Sequence, residues 1–88
     1  MDELIKALGE VENVLRDYID SMAQNMQEIA MMVNDTQSNL GNDTLAIKTT
    51  EKLKSVSTQI SGSIDEAYGL LKKVTNKRND LIEIRKSY

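Results

Sequence analysis

Several stretches of the sequence carry side chains capable of chemistry. Asp17 and Asp20 stand about one helical turn apart, and Asp65 adjoins Glu66, so each pair offers two carboxylates of the kind used in acid–base work or in holding a divalent cation. Ser55, Ser57, Ser61 and Ser63 put four hydroxyls into nine residues. The segment "LGND" (40–43) contains a glycine, as phosphate-cradling loops do, and "KKVTNKR" (72–78) is a basic cluster.

Each of these lacks the companion its chemistry requires. The chain has no histidine, which removes the commonest metal ligand and general base. Neither carboxylate pair is set in a loop, so both read as solvated helix faces. The serines have no candidate base nearby and are better small packing residues than nucleophiles. "LGND" has no lysine and no companion glycines. The basic cluster alternates with apolar residues, three tyrosines give little for base stacking, and the formal net charge of −3 opposes binding to phosphates. These residues therefore predict a protein that is not an enzyme, with no metal, no cofactor, no small-molecule substrate and no nucleic-acid partner.

The elements that carry these residues are two helices. Residues 2 to 40 place apolar side chains at Leu4, Leu8, Val11, Leu15, Tyr18, Met22, Met26, Ile29, Val33 and Leu40, with Thr36 in the remaining seam position. The steps of three and four are helical. Asp2 is positioned to cap the first turn, and Gly41 stands where a left-handed residue ends a helix. A second stripe runs Leu53, Val56, Ile60, Ile64, Ala67, Leu71, Val74, Arg78, Leu81, Ile84 and Tyr88. The segment "SVSTQISGSI" (55–64) is rich in weak helix formers and is the one span where strand or loop competes.

Between the helices lies "SNLGNDT" (38–44), where Asn39, Leu40 and Gly41 form the bend and Asn42, Asp43 or Thr44 can cap the restart. The expected fold is all-α: one domain over residues 1–88, an antiparallel two-helix hairpin with helices at about 3–40 and 44–87. Charge agrees. Residues 1–40 hold eight acids and two bases, residues 41–88 six acids and nine bases, so the helices attract each other and resist self-pairing. Folding about the midpoint sets residue n opposite roughly 85 minus n. It also aligns two places where each stripe takes consecutive steps of four, at Met22–Met26 and Ile60–Ile64.

Two helices leave apolar residues over: Ile5, Val14, Ile19, Met31 and Met32 on the first, Leu70, Ile84 and Tyr88 on the second. A stripe wider than one partner covers predicts a further protein interface and assembly into a four-helix bundle, either as a homodimer or with a different helical protein. No apolar run approaches the ~20 residues of a membrane span, and "MDELIKALGE" lacks the basic-then-apolar layout of a cleaved signal peptide.

This layout resembles the small helical-hairpin proteins of type VII (ESX-like) secretion systems, the WXG-motif family and the relatives that accompany LXG toxins. In that family a tryptophan-x-glycine tripeptide marks the bend; here Asn39-Leu40-Gly41 keeps the glycine without the tryptophan. A tyrosine followed four residues later by an acid serves as the family's export signal, whereas Tyr68 is followed by Lys72 and Tyr88 is the last residue. The resemblance implies a targeting or chaperone-like partner, cytoplasmic before export and secreted without a cleaved signal peptide. It would join a signal-bearing protein or the helical leader of a toxin, touching a membrane only through the secretion machine. The alternatives are a structural subunit of a helical polymer, such as a secretion needle, and a small coiled-coil regulator. Needle subunits typically have a proline in the turn, and this chain has none.

Overall fold

A computed structural model describes all of residues 1–88 and consists of two helices and no strands: α1, Asp2–Leu40, and α2, Thr44–Lys86. Acidic Asp2 and Glu3 open α1, and basic Arg85 and Lys86 close α2, each complementing the local end of the helix dipole. The serine-rich span 55–64 is helical throughout. Thr58 accommodates itself there by donating its hydroxyl hydrogen to the Lys54 carbonyl at 3.1 Å.

The bend is built as the residue types dictate. Gly41 adopts φ = +66°, and its N–H donates to the Gln37 carbonyl at 3.2 Å, closing α1 with a single left-handed residue. Two residues later the Asp43 carboxylate accepts the Ala46 N–H at 2.9 Å, so of the three candidate caps Asp43 starts α2. Asp2 does not cap α1; its carboxylate instead accepts a 2.8 Å hydrogen bond from Arg85 Nη1.

Internal contacts fall into two compact units. One comprises Met1–Asp20 with Asp65–Tyr88, the other Ser21–Ile64. In the first unit the inward positions are Ile5, Leu8, Glu12, Leu15 and Ile19 on α1, and Ala67, Leu71, Val74, Arg78 and Leu81 on α2. In the second they are Met22, Met26, Ile29, Val33 and Thr36, with Ala46, Thr50, Leu53, Ser57, Ile60 and Ile64. Steps of three and four alternate without interruption in both helices, which is a regular heptad seam.

This corrects the expected stripe. Glu12 replaces Val11, Ile19 replaces Tyr18, Ile5 replaces Leu4 and Ser57 replaces Val56 at the inward positions. The doubled steps of four disappear with those substitutions, because both arose from taking the outward member of an adjacent pair, Tyr18 for Ile19 and Val56 for Ser57. Ile5 and Ile19, expected on a partner face, are thus internal: Ile19 is only 5 % exposed. The cross-helix hydrogen bonds fall close to the expected pairing. Asp2 meets Arg85 and Glu12 meets Thr75, each within two residues of the position that folding about the midpoint predicts.

The core is thin. Ile19, Ala46, Ala67 and Leu81 are the buried apolar residues, so most seam side chains are covered on one side alone. No helix is long and apolar enough to cross a membrane.

Candidate functional site

The unit formed by Met1–Asp20 and Asp65–Tyr88 presents two flanks of opposite character. Heptad lettering makes this plain, with Ile5, Glu12 and Ile19 at a and Leu8 and Leu15 at d. In an antiparallel pair the e positions of the two helices share one flank and the g positions the other.

The e flank is tied across the helices by polar contacts, although Tyr68 and Ile82 of α2 also lie at its e positions. Glu12 is 2 % exposed, a carboxylate inside the seam. Its Oε2 accepts the Thr75 hydroxyl at 2.7 Å, and its Oε1 meets Arg78 Nε as an ion pair. That N–H is buried and is not aligned for a hydrogen bond, so the contact is a pairing of charges. Arg16, one turn along α1, approaches Oε2 at 3.6 Å and stays largely in solvent. At the end of the unit Arg85 holds Asp2; its hydrogen bond, and secondarily its charge, lower the Asp2 carboxyl below its ordinary value. Together these contacts use the polar groups of this side on one another.

The g flank is apolar. Leu4, Ala7, Val11, Val14 and Tyr18 lie at g and c positions, and all five are exposed. Their steps are again three, four, three and four, a second heptad stripe rotated on the helix surface from the first. Tyr18 is 43 % exposed and Val14 67 %, so the chain leaves much of the stripe open to solvent. Leu70 and Ile84, at g positions of α2, are exposed too, with Lys77 between them. Along the outer edge of the α1 stripe, the f positions are Glu3, Glu10 and Asp17, three exposed acids at intervals of seven.

The expected partner residues therefore divide. Val14, Leu70 and Ile84 belong to this apolar flank. Met31 and Met32 are exposed in the other unit, and Tyr88 is fully exposed beyond the end of α2. The sequence reading missed Leu4, Val11 and Tyr18, which it spent on the internal seam. The signal was there: the acidic edge at Glu3, Glu10 and Asp17 marks the boundary of a second stripe rather than the flank of the first.

The remaining candidate chemistry stays dispersed. Asp17, Asp20, Asp65 and Glu66 are exposed, and no group of three acidic residues comes together to hold a metal ion. Ser57, Ser61 and Ser63 are half-buried along α2, as small packing residues would be. Beside the bend, Gln37, Asn42, Ala46, Thr50 and Lys54 line an open recess. No family model, characterised protein or solved structure matches the chain.

Proposed function

We propose that this chain is a non-catalytic helical partner protein, docking flank to flank on another helical protein of a type VII (ESX-like) secretion system. Its cargo would be a secreted protein or the helical leader of a toxin, and its role that of a targeting or chaperone-like subunit. The single observation behind this reading is the apolar stripe from Leu4 to Tyr18, exposed at heptad spacing and only partly covered by the chain itself. A bend closed by a left-handed glycine between two long helices supports the kinship with hairpin partner proteins. On this reading the chain waits in the cytoplasm, forms a bundle with its cargo and leaves the cell in that company, a role that fits Tyr68 being followed four residues on by Lys72 rather than an acid.

Co-expression with the products of neighbouring genes, followed by size-exclusion chromatography with light scattering, tests it. A stable stoichiometric complex with one helical protein is the expected result. A folded chain that remains monomeric and retains none of them refutes it.

A further inference from the structure

The docking proposal above leaves the partner's chemistry open, and the acidic edge of the exposed stripe closes it. Beside Ala7 and Val14 the outer edge of the stripe carries Glu3, Glu10 and Asp17, three acids at seven-residue intervals. In side-by-side helices, residues bordering the apolar seam face their counterparts across it. Whatever helix covers the stripe must therefore set its own border against three carboxylates.

A second copy of this chain meets that requirement poorly. If its α1 lay antiparallel on this α1, acid would face acid along the edge, a like-charge arrangement that disfavours pairing; a parallel α1 would turn the other border of its stripe toward the acids, the line of Leu8 and Leu15, which offers no base. Were its α2 offered instead, the two apolar lines of this stripe would meet a single line, Leu70 and Ile84, broken by Lys77. A helix with two full apolar lines and basic residues along one border satisfies both the apolar and the charge requirement.

We infer that the stripe from Leu4 to Tyr18 receives an amphipathic helix of a different polypeptide, whose apolar seam is bordered by Lys or Arg at seven-residue intervals. This rests on the docking reading and adds to it the face and the chemistry of the partner. The apolar lines supply adhesion, and the three acids select the partner and fix its direction.

Two synthetic helices of about three heptads test this, sharing one Leu/Ile seam and differing only in Lys or Glu along one border. Each is titrated into the full-length chain, with affinity read by fluorescence anisotropy and location by amide chemical-shift mapping. The Lys-bordered peptide is expected to bind about tenfold more tightly than the Glu-bordered one, a modest factor because each rim pair is solvent-exposed. Its shifts should centre on residues 4–18. The triple variant Glu3→Lys, Glu10→Lys, Asp17→Lys should reverse the preference, and Val14→Asn, at an exposed site, should weaken both peptides while leaving helicity intact.

Binding of neither peptide, a preference that survives charge reversal, or shifts centred on the Met31 region would overturn the inference. So would self-association that Val14→Asn abolishes, which would assign the stripe to a second copy. The two proposals fail separately. A natural complex unaffected by Val14→Asn leaves docking standing and removes this face, whereas a chain that retains no natural partner yet sorts the peptides by charge removes the secretion role alone.

Discussion

Replacing Arg78 and Glu12, singly and together, probes the buried charge pair that holds α1 to α2. The Glu12 side chain is 3 % exposed and that of Arg78 33 %, so the two members of the pair are not equivalent. Arg78→Leu strands a carboxylate inside the seam, with Thr75 and the solvated Arg16 as its remaining company. Stranding a buried charge costs about 3 kcal/mol or more, which for a chain of this size lowers the melting temperature by on the order of 15 °C. Glu12→Leu leaves Arg78, whose side chain is a third exposed although its Nε is buried, and a threonine hydroxyl without its acceptor, a smaller loss of about 1 kcal/mol.

The double leucine variant places apolar residues at a heptad layer and should return to within about 1 kcal/mol of the parent, or exceed it. Urea unfolding followed by far-ultraviolet circular dichroism, at one protein concentration for all four proteins, measures the cycle. The reasoning is refuted if Arg78→Leu costs no more than Glu12→Leu, or if the double variant is as unstable as the two single losses combined. Either result would mean that Glu12 gains enough water in solution to behave as a surface carboxylate.

Three further outcomes follow from the bend and the open end of the hairpin. Gly41→Ala should destabilise the protein by about 1 kcal/mol, because φ = +66° is strained for any residue with a Cβ although the space around it is empty; an asparagine there should cost less, as thermal melts would reveal. Asp43→Ala should remove the only side-chain cap at the start of α2 and cost about 1 kcal/mol, with increased amide exchange at Ala46 as its local signature. The Asp2 carboxyl is lowered from 3.8 by Arg85, so its pairing stabilises the fold above that value and fades as pH falls through the lower, folded-state value. Asp2→Asn should therefore flatten the acid limb of the stability profile and lower the profile near neutrality by a constant offset without changing its slope there, and a carboxyl titration by NMR that finds Asp2 at or above 3.8 would contradict this.

What the amino-acid sequence settles by itself is local. Gly41 ends α1 because only a residue without a Cβ enters the left-handed region freely, a short polar side chain among residues 42–44 can restart a helix by reaching a free amide, with the structure selecting Asp43, and a period of three and four makes both flanking segments helices. The span 55–64 shows the limit of propensity: its serines and β-branched residues disfavour a helix one by one, yet the seam of Ser57, Ile60 and Ile64 continues through it.

The phase of the seam belongs to the tertiary structure. Leu4 and Ile5, Val11 and Glu12, Tyr18 and Ile19, and Val56 and Ser57 are neighbours about 100° apart on a helix, and periodicity is satisfied by either member of each pair. Hydrophobicity alone chooses Val11 over Glu12. The fold chooses Glu12, because Thr75 and Arg78, more than sixty residues away in the chain, supply the partners that make a buried carboxylate tolerable. Once that layer is set, α1 turns its other apolar line, from Leu4 to Tyr18, outward.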